Sequence, residues 1–232
     1  MAAFELAAEQ GADALEFDVR LTADGRAVVL HDPTLERTTD RRGTVADLST
    51  DAILEADAGA RFSLDGGRTY PWRGRGVRIP LLTEVLSRFP RLPLLIEIKD
   101  VHAQEAVRDS ILAHQAVDRC VVASEPAEAL ERLRETPLVL GATARDIFQL
   151  YLASWLGRAP RSVAYRLLAV PFRHHGLPVP TRRFVILAHR LRCPVHVWTV
   201  NDAARARQLW NRGANGMVTN YPAALRGARD QA

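Results

Sequence analysis

The sequence predicts an α/β fold in which alternating strands and helices build a β/α barrel. Three observations predict it. Short apolar runs rich in Val, Ile and Leu alternate with helical patterns in seven units of similar length, the mark of a parallel sheet covered by helices. No glycine-rich phosphate fingerprint follows the first strand, which weakens an open, dinucleotide-binding sheet. The 232 residues are 47% apolar, carry no internal repeat and contain no linker, so a single domain spanning 1–232 with one large core is expected.

The chain opens on an amphipathic helix, with Phe4, Leu6 and Ala7 apolar and Gly11 as its stop. Strands are expected at Ala14–Val19, Ala27–Leu30, Leu94–Ile98, Cys120–Ala123, Leu138–Gly141, Leu167–Val170, Val195–Thr199 and Gly216–Thr219. Helices are expected at Leu82–Phe89, Ala103–His114, Pro126–Arg134, Ala144–Leu156, Thr181–Leu191 and Asp202–Arg212. Asn201 or Asp202 can cap the helix that Gly213 stops, and Pro126 suits a first helical turn. Asp24-Gly25 sits between two apolar runs, a hairpin signal that makes the first two strands antiparallel neighbours. Pro33 to Pro80 is polar, rich in Gly, Arg and Asp, and has little periodicity, which reads as a functional loop or insertion.

Net charge is +4 and the pI is near 9.6. The arginines alternate with acids, as in Glu131-Arg132-Leu133-Arg134-Glu135. That pattern reads as a solvated helix face and argues against nucleic acid as a partner. Cys120 and Cys193 lie far apart in strand-like surroundings and read as two buried thiols, neither a disulfide nor a metal pair. No apolar run reaches the ~20 residues of a membrane span, and the N-terminus lacks the basic region of a signal peptide. A cytoplasmic protein is the expectation.

In a barrel, chemistry collects at the C-terminal ends of the strands. Glu16 and Asp18 stand at i and i+2 of an apolar strand, so both carboxylates face the same way. Two acids on one buried face repel and are costly to desolvate unless a cation lies between them; the alternative is an edge strand with its acidic face in solvent. The hairpin returns His31 toward that pair. Glu97 is a third acid in an apolar strand, with Lys99, the only lysine of the chain, as its same-face neighbour. Alone they read equally well as a buried ion pair. Together the four make an oxygen-only donor set with one ammonium, suited to Mg²⁺ or Ca²⁺ more than zinc.

Glu16-Phe17-Asp18, the Asp24-Gly25 turn, Val28-Val29-Leu30-His31-Asp32 and Ile96-Glu97-Ile98-Lys99 resemble, in order and spacing, the glycerophosphodiester phosphodiesterase family. Ile79 to Leu86, Val197 to Asn201 and Gly213 to Pro222 are similar to later family segments, so the likeness covers nearly the whole chain. It implies a (β/α)8 barrel of the TIM type, with a small insertion at 33–80 after the histidine-bearing hairpin. It also implies metal-dependent hydrolysis of a small-molecule phosphodiester to an alcohol and sn-glycerol 3-phosphate. Glu16, Asp18 and Glu97 would ligate the metal, and His31 would be one of two acid/base histidines. Lys99 would touch the phosphate, and Trp198 would wall the glycerol side, although an aromatic at a strand end also reads as plain core.

The departure from the family lies at the start. Members open with a strand ending in His-Arg, then a Glu-Asn segment, and neither motif precedes the first helix here. The expectation is a barrel missing its first strand, with a truncated or degenerate, catalytically impaired protein as the alternative. Of the other histidines, His102 and His114 read as helix flank and surface, and His174-His175 as loop. His196 faces opposite to Val195 and Val197 and so reaches either the barrel or the helix layer.

Overall fold

The structure is a computed structural model that describes residues 1–230. In chain order the elements are α1 (Ala2–Glu9), β1 (Leu15–Leu21), β2 (Ala27–Val29), α2 (Thr50–Leu54), α3 (Leu82–Arg88), β3 (Leu94–Ile98), α4 (Gln104–Ala113) and β4 (Cys120–Ala123). They continue with β5 (Val139–Leu140), α5 (Ala144–Leu156), β6 (Leu168–Pro171), β7 (Arg173–His174), β8 (Leu177–Pro178), α6 (Arg182–Arg190), β9 (Val195–Trp198), α7 (Ala203–Asn211), β10 (Gly216–Met217) and α8 (Pro222–Arg229).

The strands run in the order β2-β1-β3-β4-β5, then β6-β9-β10, and the two sets meet through a parallel bridge between Gly141 and Leu167. Every pairing in this sequence is parallel except β1 with β2. Leu95 of β3, Ala123 of β4 and Leu167 before β6 pack against one another, which requires the sheet to curl into a barrel wall. Among the described residues the edge strands β2 and β10 do not pair, so the wall is open between the β1–β2 hairpin and β10. Outside that opening α8 reaches across: Arg226 Nη1 donates to the Gly11 carbonyl at 3.3 Å, and Arg229 meets Asp13 at 2.9 Å. Gly11 has φ +79°, and a Cβ there would collide with the Arg226 guanidinium, so only glycine fits.

Outward residues of the strands form the helix-side core. Leu15, Phe17, Val19, Leu94, Ile96 and Ile98 are buried with Leu82, Val85 and Val107 of the covering helices. The inward stripe of α1 is Phe4, Ala7 and Ala8, half-buried with the preceding Met1, and the Phe4 ring lies tilted against Phe17 at 5.2 Å between centroids. Leu6, expected on that stripe, is 52% exposed, because the inward positions follow i, i+3, i+4 from Phe4.

Two expectations are refined. Ala127–Leu133 is a 3₁₀ helix, not an α-helix. The buried Gln104 explains it: its amide nitrogen donates to the Glu128 carbonyl and its oxygen accepts from Arg132 N–H at 2.9 Å. Those are the two groups an α-helix would pair with each other, so the side chain has inserted into the ladder. Residues 33–80 are not a bare loop either: a 3₁₀ turn at Val45–Asp47 and α2 bring Leu35, Val45, Ile53 and Ile79 onto Val28 and Leu30 in a small core. The loop at His174-His175 is a tight hairpin, β7–β8, at the end of β6, with His174 closing β7 and His175-Gly176 as its turn.

The β1–β2 hairpin forms as expected, with Gly25 at φ +78°. Asp24 does more than turn the chain. Its Oδ1 accepts from Thr22 Oγ1 at 2.6 Å and from both the N–H and hydroxyl of Thr50, pinning α2 to the hairpin. Asp202 caps α7, which frees Asn201 to accept from Thr219 and Asn220 and tie the ends of β9 and β10 together.

Candidate active site

The acidic face of β1 is set by what lies on its other side. With Leu15, Phe17 and Val19 buried under helices, period two turns Glu16, Asp18 and Arg20 into the barrel. The parallel register places Asp18 beside Glu97 and Glu16 beside Leu95. One carboxylate oxygen from each of Glu16, Asp18 and Glu97 falls within 4.8 Å of the others. The predicted trio is therefore assembled on the inner face of two adjacent strands, Glu97 near the C-terminal end of β3, Asp18 opposite it in the middle of β1 and Glu16 one step nearer the start of β1.

The price of that proximity shows in the titration of the group. Burial, then repulsion from Asp18 and Glu97, pushes the Glu16 carboxyl up to about 7, although part of its side chain stays open to solvent. Burial also raises Glu97, against the pull of Lys99. Lys99 N–H donates to the Val19 carbonyl at 3.0 Å and extends the sheet one residue beyond β3. Its Nζ lies 2.5 Å from Glu97 Oε1 and 3.3 Å from Asp18 Oδ1. Burial works against its charge, yet the two carboxylates outweigh that and raise its pKa. The ammonium thus sits on the acids as their counter-ion; it does not stand apart from them.

His31 follows β2 with an exposed ring. Its Nδ1 is 2.8 Å from Asp32 Oδ1, and Asp32 is gripped at both oxygens by Arg37. Those hydrogen bonds, Arg37's first, lower Asp32 to about 2. Arg20 Nε donates to the His31 carbonyl at 2.8 Å, so the acidic strand itself anchors the histidine at the rim. Burial lowers the Arg20 pKa against the pull of Asp100 and Asp18. Asp32, Arg37 and Arg20 were not singled out by sequence reasoning. Arg20 was findable, since it stands two residues beyond Asp18 on the same face.

Trp198 ends β9 in register with Pro171, half-buried on the other half of the sheet. His196 precedes it by two. Val195 and Val197 are buried in the helix-side core, so His196 faces the barrel, where burial lowers its pKa. Gly216 lies against it: a Cβ there would stand 2.8 Å from His196 Cδ2. The remaining histidines are elsewhere, His114 bonded to Ser110 and Ser87, His189 to Asn215, and His102, His174 and His175 at the exposed surface.

Comparison with known proteins bears on what such a cluster does. The family model for the glycerophosphoryl diester phosphodiesterase family matches residues 1–224. A glycerophosphodiester phosphodiesterase of Caldanaerobacter subterraneus is 29% identical, over 97% of this chain and 89% of its own. Among solved structures, a glycerophosphoryl diester phosphodiesterase domain from Mycobacterium tuberculosis superposes with a TM-score of 0.85 at 18% identity, covering 100% of this chain and 92% of that one. An Oleispira antarctica phosphodiesterase in complex with its product sn-glycerol-3-phosphate superposes at 0.72 with 24% identity, covering 99% and 90%. With its α/β barrel and its run of matching residues, this chain belongs to the glycerophosphoryl diester phosphodiesterase family.

Proposed function

We propose that the chain hydrolyses glycerophosphodiesters to an alcohol and sn-glycerol 3-phosphate, with a divalent cation held by Glu16, Asp18 and Glu97. One observation carries this reading: three carboxylates and one ammonium converge on the inner face of two adjacent barrel strands in a member of this family. The donor set fits such an ion. All three ligands are oxygens, which favours Mg²⁺ or Ca²⁺, and the elevated Glu16 carboxyl marks a site short of positive charge. When bound, the cation supplies Lewis-acid charge at the phosphate.

The chain's own residues do the rest. Lys99 turns from Asp18 and Glu97 to the phosphoryl oxygens and neutralises the charge that develops there. Asp32 holds His31 at Nδ1, which leaves Nε2 to pass a proton at the bridging oxygen. Trp198 supplies an apolar wall for the glycerol moiety. Residues 1–232 act as one catalytic unit, with 33–80 as an insertion that frames the His31 rim. Cys120 and Cys193 are both free and buried, which suits a reducing compartment, and we place the activity in the cytoplasm on that ground. No helix among the described residues is long and apolar enough to cross a membrane.

The test is release of sn-glycerol 3-phosphate from glycerophosphocholine with Mg²⁺ or Ca²⁺, abolished by chelation. No release with either ion overturns the reading. A second reading, ligand binding without turnover, draws on the open wall between the β1–β2 hairpin and β10 and on His31 being the one histidine tied to the acidic strand among the described residues. Calorimetric binding of the cation without product release would select it.

A further inference from the structure

The charge of this chain is divided along its length. Between Ala144 and Asn201 there are nine arginines and one acid, Asp146. That stretch is net +8 in a chain of net +4, so the remainder is net −4. All nine arginines are exposed. None forms an ion pair with a carboxylate among the described residues, whereas Arg37, Arg78, Arg88, Arg132 and Arg229 each do. The single acid is committed to its own helix: Asp146 accepts from the N–H and hydroxyl of Thr143 in the capping box of α5.

The same region carries an apolar ridge facing solvent. In α5 the inward stripe is Ile147, Leu150 and Tyr151. The outward stripe should be polar in an ordinary barrel helix. Here it is Phe148, Leu152, Trp155 and Leu156, at i, i+4, i+7 and i+8, with Phe148 61% and Leu156 69% exposed. Ile186 of the neighbouring α6 is exposed as well. Arg183 of α6 lies 5.2 Å over the Trp155 ring, which joins the charged and apolar features into one surface. These five side chains expose on the order of 500 Å², a large patch for a monomer of this size. At the mouth end of α6 the β7–β8 hairpin adds an exposed Leu177 and Arg173.

We propose that this α5–α6 face docks on an anionic lipid bilayer. Arginines beside exposed Trp, Phe and Leu match both layers of such a surface, the charges meeting headgroup phosphates and the ridge entering the headgroup–acyl boundary. A second copy of the chain fits poorly, since it would set one acid-free basic face against another. Single-stranded nucleic acid fits less well too, because it stacks bases on aromatics along a groove, whereas this is a convex ridge half made of aliphatic side chains that phosphates and bases cannot use.

Flotation with vesicles tests it. The full chain should float with phosphatidylcholine vesicles containing roughly 30% phosphatidylglycerol, should not float with pure phosphatidylcholine, and should be released by high salt. Arg158→Glu with Arg161→Glu and Arg183→Glu should lower partitioning by at least roughly 100-fold, at about 1 kcal/mol per charge. Leu152→Ser with Leu156→Ser should lower it by roughly tenfold at unchanged net charge. Reversing Arg68 and Arg75, exposed arginines of the 33–80 segment, should leave it unchanged. If the triple variant melts early, the two-serine variant decides. The proposal is overturned if the wild type ignores anionic vesicles, or if the serine variant binds them as well as wild type does. Tighter retention on a single-stranded oligonucleotide than on vesicles, or a dimer dissolved by the serine substitutions, overturns it equally.

Discussion

Two groups of carboxylates in this molecule behave in opposite ways. At the hairpin and the rim, Asp24 and Asp32 sit on turns, collect hydrogen bonds from Thr22, Thr50, Arg37 and His31, and fall to about 2. On the inner face of β1 and β3, Glu16 and Glu97 are buried beside other acids and rise, Glu16 to about 7. The first group is satisfied by its own chain. The second is not, and Lys99 supplies only one positive charge to three carboxylates. The excess of negative charge at the mouth of the barrel is what the proposed cation would offset.

The largest expected effect breaks the second group. Glu97→Gln removes a ligand but also a repulsion, so turnover of glycerophosphocholine should fall by more than roughly 100-fold while the melting temperature without metal holds or rises. A parallel loss of activity and stability would assign Glu97 to a structural ion pair with Lys99. Asp24→Ala makes the complementary break. It strips Thr22 and Thr50 of their shared acceptor, so the melting temperature should drop by roughly 2–4 °C or more with kcat/KM retained. Loss of activity with unchanged melting would reverse the roles assigned to the two groups.

How much of this could be read from sequence follows the range of the interactions. Leu94–Ile98 and Cys120–Ala123 are legible to the residue, because short apolar runs, interrupted only by Glu97, report burial on both faces. Period two alone puts Glu16 and Asp18 on one face, and Asp-Gly alone predicts the hairpin. What sequence does not report is where a long side chain lands. Lys99 is legible as the neighbour of Glu97, yet its contact with Asp18 crosses to another strand. The 3₁₀ helix at Ala127–Leu133 depends on Gln104, more than twenty residues away. The hairpin at β7–β8 has strands of two residues, too short for any period. The acid-free stretch after Asp146 is in the sequence, but local alternation such as Glu131 to Glu135 hides it until the charges are counted over long windows.

The pH dependence separates the two groups most cleanly, because they respond to different windows of pH. A folded-state pKa raised from 4.5 to about 7 means the native state holds a proton that the unfolded chain has released. Stability without metal should therefore decline as pH rises from about 4.5 to 7 and level off above. Glu97, also raised, adds to the same slope. Asp24 works the other way: lowered from 3.8 to about 2, its stabilisation is present above 3.8 and lost as pH falls through 2. Melts between pH 5 and 8 in chelator should thus show a shallow fall that Glu16→Gln flattens and Asp24→Ala does not. With Mg²⁺ or Ca²⁺ the slope should change sign, since the ligands must release their protons to bind and affinity climbs through pH 7. A metal-free slope indifferent to Glu16→Gln would mean that the inner-face carboxylates are as well satisfied as those of the turns, and that the mouth needs no cation.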